Sequence, residues 1–323
     1  MNTSDYIVSM AHVLKIATAV FMYLLIYNGI QTNSDARKVL YSIVIATIIP
    51  MLIGYYQFFT LTGGTGVMGI LNRVKGTLVM ANEYGIFLSI GLCAALMLLL
   101  QENGRFRRVF LICSAVSIAI SSILALNRGT WIALTASFLF AYPFYRTKVK
   151  AKWFFIVGLI MAIFFSGIIL ERFMQLGETM PWGGTQNTFS RRIDMWKTIS
   201  SLLHVHPVAG FGIGTSNLVT SKFFRIDNVP HNDYLRLLLE IGIPGVLLYI
   251  LFLAKELYRN IRLPFDKKYW VINFPTLVMV TYWIIMSSVQ NIIYDVINFP
   301  LFLTLLAVSR RWNEMSFSEE NKL

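Results

Sequence analysis

The residue best placed to do chemistry is a cationic side chain at a break between apolar segments. Arg128 lies in Asn127-Arg128-Gly129-Thr130, the only interruption between two long apolar stretches. A guanidinium at that depth is costly unless it faces a polar cavity or an anion. The alternative is a tight helical hairpin whose arginine extends to the membrane interface. We favour an arginine that binds an anion.

A second cationic site is predicted at 187–196, a stretch typical of an interfacial amphipathic helix. Ser190 is the expected N-cap residue of this helix, so Arg191 and Arg192 would lie in its first turn. Paired guanidiniums match the oxygens of a phosphate in bidentate geometry. Contact with anionic lipid headgroups is an equally good interpretation of these arginines.

Among the four histidines, His231 is the candidate base because it lies in Pro230-His231-Asn232-Asp233-Tyr234, directly before a predicted helix. A neutral imidazole there can take a proton from a hydroxyl group. A capping or hydrogen-bonding histidine is the alternative. His12, in the first apolar segment, is expected to be a packed interior residue. Arg236 and Glu240 share one helical face and are expected to pair.

These candidates must be positioned by membrane helices. The chain has 323 residues, of which 56% are hydrophobic and only 14% charged, and its mean hydropathy is +0.62. A soluble domain would have about 25% charged residues. Apolar runs of about 20 residues can cross a hydrocarbon layer of ~30 Å. They show no alternation of period two, so helices are favoured over a barrel. The predicted fold is all-α, a polytopic transmembrane bundle forming one membrane domain over 1–323.

Nine apolar segments are predicted, and the basic residues between them set the topology. Basic clusters mark cytoplasmic loops, and they fall here in alternate connections. The N-terminus and the long loop 171–238 are therefore expected outside the cytoplasm, and the C-terminus inside. The net charge of +12 is explained by these loops, so no nucleic-acid partner is expected. The segments are about 7–30, 39–61, 79–100, 109–126, 131–145, 153–170, 239–257, 269–289 and 296–309.

Further polar residues are predicted on the same external side. Arg73 and Lys75 lie there against the positive-inside bias, although loops tolerate some such cations. Asn82 and Glu83 open the third segment and are expected to face an external cavity, with helix capping as the alternative. No cluster of His, Asp or Glu has metal-ligand spacing, so we expect no metal and no other cofactor.

Four short motifs occur in order along the chain. Each is weak alone, but together they resemble the O-antigen ligase and polysaccharide polymerase family of bacterial envelopes. They are Arg73-Val-Lys-Gly76-Thr77 with Ala81-Asn82-Glu83-Tyr84; Asn127-Arg128-Gly129-Thr130-Trp131; Arg192-x-x-x-Trp196 with His206-Pro207-x-x-Gly210-x-Gly212-x-Gly214; and Pro230-His231-Asn232-Asp233-Tyr234-Leu235 running to Glu240-Ile241-Gly242-Ile243-Pro244-Gly245.

The resemblance implies a membrane glycosyltransferase of the GT-C type. Its donor would be a glycan on undecaprenyl diphosphate, and its acceptor a second lipid-linked glycan or a surface acceptor. In the family, arginines matching Arg128 and Arg192 hold the diphosphate, and the histidine matching His231 acts near the acceptor hydroxyl. Preorganised cations then neutralise the leaving group, which predicts a metal-independent, inverting displacement. The expected binding set adds Arg191, Arg73, Lys75, Asn82, Asp233, Arg236 and Trp196.

Two other functions are also compatible with the sequence. A transporter or flippase of lipid-linked sugar would show inverted repeats and a polar path through the membrane midplane. A shortened, non-catalytic chain would instead assist other polysaccharide-assembly membrane proteins. Family members commonly have ten to twelve spans, so nine spans and an outward N-terminus fit a shortened product. Serine is also frequent in the family where this chain has Asn127. Surrounding membrane lipids are expected partners in every case.

Overall fold

The computed structural model describes residues 3–62, 73–149, 163, 166–167, 170, 188–224, 230–262 and 269–320. Every regular element within these ranges is an α-helix, which confirms the predicted all-α class. The helices are α1 (Thr3–Gly29), α2 (Asn33–Ala46), α3 (Ile48–Thr60), α4 (Ala81–Leu99), α5 (Arg105–Leu124), α6 (Arg128–Tyr145), α7 (Thr188–Ser200), α8 (Ser216–Phe224), α9 (Asp233–Arg262), α10 (Trp270–Ser287) and α11 (Asn298–Glu320).

The predicted apolar segments correspond to these helices, except that most of 153–170 lies outside the described residues. The second segment is divided into α2 and α3. Pro50 has no N–H to donate into the preceding turn, and the Thr47 hydroxyl donates to the carbonyl of Val44 at 2.6 Å. With α2 and α3 counted together, six segments of the described chain are long and apolar enough to cross a membrane. The protein is a polytopic helical membrane protein, and the count of nine spans stays a prediction.

α4 and α10 form the centre of the bundle, since most of their side chains are buried. α10 packs against α4, α6, α9 and α11, and Trp283 stacks on Phe302 with ring centroids 4.1 Å apart. α1 packs along α11 and leaves most of its apolar side chains exposed. An exposed apolar helix of this length suits contact with lipid tails.

The helices alternate in direction and give the bundle two polar ends. At the end that we call the site end, α4, α6, α9 and α11 begin, and α5 and α10 end. At the opposite end, the Tyr145 hydroxyl donates to the carbonyl of Asn260 at 2.8 Å. There Arg311 Nε also donates to the carbonyl of Ile30 at 3.0 Å. The basic residues assigned to the cytoplasm therefore lie opposite the site end: Arg146 and Lys148 after α6, Arg259 and Arg262 at the end of α9, and Arg310 and Arg311 within α11.

α9 is broken by Gly242, whose φ of 69° and ψ of −168° lie in a region that only glycine adopts readily. Pro244 follows and has no N–H. The carbonyls of Leu239 and Glu240 consequently lack their usual helical donors. A kinked helix in a buried setting must have such groups satisfied from elsewhere.

The connection between α7 and α8 supplies the missing partners. Its backbone runs beside the break in α9, and three backbone hydrogen bonds join the two segments. They are Phe211 N–H to Leu239 O at 2.8 Å, Gly212 N–H to Glu240 O at 2.8 Å, and Ile243 N–H to Pro207 O at 2.9 Å. The glycine-rich motif at 206–214 is therefore a docking segment for the α9 kink.

The prediction that Ser190 caps the amphipathic helix is wrong. α7 begins at Thr188, so Ser190 lies inside the helix and Arg192 is its fifth residue. Serine is favoured at N-caps, but its intrinsic preference does not exclude it from a helix interior. Of the long loop predicted at 171–238, the structure describes residues 188–224 and 230–238. The placement of this loop outside the cytoplasm stays a prediction.

Replacing Gly242 with alanine should destabilise the protein. A Cβ at this position would lie 2.1 Å from the carbonyl oxygen of Val208, and the backbone would have to leave the glycine region. The backbone strain alone costs about 1–3 kcal/mol. The thermal unfolding midpoint of purified Gly242→Ala in detergent should fall clearly below that of the wild type.

Gly29→Ala is the matched control, because a Cβ there has no atom within 4 Å. Its midpoint should stay at the wild-type value. An unchanged midpoint for Gly242→Ala would show that the docking of the α7–α8 connection on α9 is not as described.

Candidate active site

His231 lies two residues before the first residue of α9 and adopts the left-handed conformation, with φ at 47°. That conformation costs about 1–2 kcal/mol for a residue other than glycine, so its neighbours must hold it. Trp196 Nε1 donates to the carbonyl of Pro230 at 2.7 Å. The Asn232 N–H donates to Asn291 Oδ1 at 3.3 Å. These two hydrogen bonds fix the backbone on both sides of His231.

The next anchor is a buried carboxylate at the start of α9. Asp233 is fully buried, and its carboxylate accepts hydrogen bonds from Ile292 N–H at 3.1 Å and Ile293 N–H at 3.2 Å. Both donors belong to residues 288–297, which connect α10 to α11 and which we call the site loop. The first residue of α9 thereby holds the site loop beside His231.

Arg192 reaches the site loop from α7. It is partly buried, and its Nη1 donates to the carbonyl of Val289 at 3.1 Å. The neighbouring Gln290 is buried, and its side chain lies close enough to the His231 imidazole to affect the pKa of His231. Arg192 and the backbone next to His231 are therefore held by the same short loop, Arg192 through Val289 and Asn232 through Asn291. This convergence links two residues that lie 39 positions apart in the chain.

Burial and charge determine the protonation of these two groups. Burial, and after it the Arg192 guanidinium, lowers the pKa of His231 from its usual value of 6.5 to about 4. Burial also lowers the pKa of Arg192, although a guanidinium stays charged at neutral pH. The site therefore presents a neutral imidazole close to a fixed cation at neutral pH.

Arg128 is the first residue of α6, not part of the break itself. Its neighbour Gly129 lies against the C-terminal end of α10 and the site loop, since a Cβ there would be 3.9 Å from Met286 Sδ and from Val289 Cγ2. The start of α6 therefore lies beside the residue whose carbonyl binds Arg192.

A second polar cluster adjoins the start of α6. The side-chain oxygen of Asn127, the N-cap residue, accepts from Thr130 N–H at 3.4 Å, and its Nδ2 donates to the carbonyl of Asn82 at 3.4 Å. Arg73 Nη2 donates to Asn82 Oδ1 at 2.6 Å, and Arg73 Nε donates to the carbonyl of Ala125 at 3.3 Å. Arg73, Asn82 and the start of α6 thus form one connected group.

The other predicted binding residues have different surroundings. Lys75 is partly exposed on the turn next to Arg73, and its backbone N–H donates to Gln57 Oε1 at 3.0 Å. Arg236 and Glu240 form the expected buried pair at 3.0 Å. The side chain of Arg191 lies outside the described residues.

The structure therefore brings Arg192 to the site loop and Trp196 to Pro230, next to His231, and the start of α6 with Arg128 lies beside the loop. Asp233 and Arg236 direct their charges to buried protein partners. The sequence motifs did not reveal the site loop. The polar pair Gln290-Asn291 between two apolar helices was the available signal for it. In the described ranges, no three His, Cys, Asp or Glu side chains are grouped closely enough to bind a metal ion.

Comparisons with known proteins place the three principal residues in one matching stretch. Residues 113–250, which include Arg128, Arg192 and His231, match the family model for O-antigen ligase. The chain is also similar to a provisionally named polysaccharide ligase of Rickettsia conorii (strain ATCC VR-613 / Malish 7). The two sequences are 21% identical over 296 residues, which cover 86% of this chain and 69% of the relative.

The fold and its site define a multi-pass helical membrane protein with a buried cationic and imidazole site at one end of the bundle. The comparisons confirm the resemblance to the O-antigen ligase family that the four motifs indicated. The first motif, at residues 73–84, lies outside the matched stretch but joins the site through Asn82 and Asn127.

The lowered pKa of His231 predicts that acid destabilises the fold. Because folding disfavours the protonated imidazole, the stability that depends on neutral His231 is complete above pH 6.5 and is lost as the pH falls through about 4. His231→Gln removes this titration. Between pH 7.5 and pH 4.5, its thermal unfolding midpoint in detergent should therefore fall less than that of the wild type. Equal falls in both proteins would contradict the burial of a neutral imidazole.

Proposed function

We propose that this membrane protein is a glycosyltransferase that moves a glycan from undecaprenyl diphosphate to an acceptor hydroxyl outside the cytoplasmic membrane. The acceptor is a second lipid-linked glycan or a surface acceptor, as in a polysaccharide polymerase or ligase. The observation on which the proposal rests is that one loop holds both Arg192, through Val289, and the backbone next to His231, through Asn291. The similarity to O-antigen ligases over residues 113–250 supports it.

The cations act on the leaving group in this proposal. Arg128 and Arg192 hold the diphosphate of the donor, and the fork of each guanidinium matches the phosphate oxygens. Negative charge develops on the diphosphate as its bond to the sugar breaks, and fixed cations stabilise that charge without reorganising. This stabilisation is sufficient for a metal-independent reaction. Arg73, Lys75, Asn82 and Arg191 are available to bind the rest of the diphosphate or the first sugar.

His231 acts on the acceptor. Its neutral imidazole takes the hydroxyl proton while the acceptor oxygen attacks the anomeric carbon. The new carbon–oxygen bond forms as the bond to the diphosphate breaks, and undecaprenyl diphosphate leaves with the bonding electrons. A single displacement of this kind inverts the anomeric configuration. Trp196 and Asp233 hold His231 in place through Pro230 and the site loop.

The orientation follows from the two ends of the bundle. The basic clusters after α6, at the end of α9 and at Arg310 and Arg311 within α11 lie opposite the site end, and such clusters mark the cytoplasmic side of membrane proteins. We therefore place the site on the outer face of the cytoplasmic membrane of a bacterium, with the C-terminus in the cytoplasm. Membrane lipids surround the bundle, and other polysaccharide-assembly proteins of the membrane are its expected neighbours.

Glycan transfer by the purified protein in lipid tests this function. The donor is undecaprenyl-diphosphate glycan from the source organism, and the readouts are extended or transferred glycan and released undecaprenyl diphosphate. His231→Ala should lower the rate by about 10²–10⁴-fold, as expected for loss of a general base. Arg192→Ala and Arg128→Ala should each lower it by about 10²–10³-fold, as expected for loss of charge stabilisation.

Arg107→Ala is the matched control, because this exposed arginine lies at the opposite end of the bundle and contacts Glu102 at 3.8 Å. It should keep the wild-type rate. Transfer that continues in His231→Ala and Arg128→Ala would discard the assigned site. No transfer by the wild type, with donor binding intact, would favour a non-catalytic assembly partner. Movement of the lipid-linked glycan across the membrane without transfer would favour a flippase.

A further inference from the structure

A buried charge cluster lies next to the site, and Arg236 is its centre. The Arg236 side chain is 7% exposed, and its Nε donates to Glu240 Oε1 at 3.0 Å. Its Nη2 donates to His12 Nε2 at 3.2 Å. Its Cζ lies 4.3 Å from the centre of the Tyr294 ring, within the range of a cation–π contact. Three protein partners from different parts of the chain therefore surround this guanidinium.

Glu240 joins the same cluster to two further segments. Its side chain is fully buried, and Oε1 also accepts from Ser216 N–H, at the start of α8, at 3.3 Å. Oε2 accepts from the Tyr294 hydroxyl at 2.7 Å. A buried carboxylate is costly unless it is paired and hydrogen-bonded, and Glu240 has both kinds of partner. Tyr294 belongs to the site loop, so Glu240 ties that loop to α9 and α8.

His12 brings α1 into the cluster. Its Nδ1 lies 2.8 Å from the carbonyl of Val8, which can only accept. Nδ1 therefore carries the proton, and Nε2 is left to accept from Arg236. The His12 ring also meets the Tyr294 ring edge to face, with centroids 4.6 Å apart at 87°. A Cβ at Gly214 would lie 2.6 Å from His12 Nδ1, so the α7–α8 connection packs on the same imidazole.

These contacts place one guanidinium between an acceptor on α1, a carboxylate on α9 and an aromatic face on the site loop. Tyr294 directly follows Ile292 and Ile293, the residues held by Asp233. The same loop binds Arg192 through Val289 and the backbone next to His231 through Asn291. Any shift of Tyr294 is therefore transmitted to the residues that position the candidate base.

We propose that His12, Arg236, Glu240 and Tyr294 form a positioning clamp for the site loop, and that His12 is the residue through which α1 sets its geometry. Arg236 is then a positioning residue and not a ligand of the substrate. The effect on catalysis rests on the proposed function. The effect on the order of the site loop does not, so the two can be tested separately.

Hydrogen–deuterium exchange of the full-length protein in lipid nanodiscs tests the clamp. His12→Leu removes the acceptor for Arg236, and loss of a hydrogen bond to a charged group corresponds to about a ten- to hundredfold change in a local opening equilibrium. Exchange in 288–297 should accelerate by about that factor. His12→Gln, whose amide oxygen can accept from Arg236, should restore most of the protection.

Leu14→Ala is the matched control on α1, since Leu14 is 58% exposed, and its exchange in 288–297 should equal that of the wild type. If His12→Leu does not fold, Tyr294→Phe is measured in its place, because it removes only the hydroxyl bound to Glu240. Unchanged exchange in 288–297 for His12→Leu, or for Tyr294→Phe in its place, would overturn the proposal. The same acceleration in Leu14→Ala, or no recovery in His12→Gln, would overturn it as well.

A kinetic readout separates positioning from binding. If the proposed transferase activity holds, His12→Leu should lower kcat about tenfold or more, with the KM for the lipid-linked donor unchanged and kcat recovered in His12→Gln. A raised KM at constant kcat would assign the clamp to donor binding and overturn the positioning role. A wild type that transfers no glycan would refute the proposed function, and the exchange experiment would still decide whether the clamp exists.

Discussion

The site end of this protein depends on the hydrogen bonds between the Asp233 carboxylate and the N–H groups of Ile292 and Ile293. A connection between two membrane helices has backbone donors that lipid cannot satisfy. A fully buried carboxylate needs donors equally. Each group meets the requirement of the other, and the site loop is thereby fixed at the start of α9. His231 and Arg192 then take their positions from residues of this loop.

A second constraint attaches the α7–α8 connection. The α9 break at Gly242 leaves two backbone carbonyls without helical donors, and the backbone N–H groups of Phe211 and Gly212 fill these positions. The kink therefore anchors the connection that follows α7, the helix that carries Arg192. Gly210 of the motif is explained by this contact, because a Cβ there would lie 2.5 Å from the backbone of Glu240. Local backbone geometry and the position of a candidate catalytic cation are linked in this way.

Much of this architecture could be predicted from the sequence, since apolar length and the placement of basic residues are local properties. The all-α membrane fold and the pairing of Arg236 with Glu240 follow from such local patterns. The role of the site loop could not be predicted in this way. Asn291 and Tyr294 have a role at the site only because of tertiary contacts, with the backbone of Asn232 and with Glu240 of α9.

Asp233 shows the limit of residue-type reasoning at such a site. An acid next to a candidate base is easily assigned to substrate binding, but its carboxylate faces backbone donors inside the protein. Ser190 shows the same limit for helix ends, because a good capping residue two positions inside α7 does not determine where the helix begins. Both cases depend on what surrounds the residue in three dimensions, and the residue type alone does not reveal that.

Arg192 and His231, held by one loop, should act as one unit in the proposed reaction. The most direct measurement is a double-mutant cycle on the rate of glycan transfer with Arg192→Ala, His231→Ala and the double variant. Residues that act as a unit in one transition state give strongly non-additive losses. If Arg192 and His231 act as one unit, the double variant should be little slower than the slower single variant. A loss equal to the product of the two single losses would contradict it.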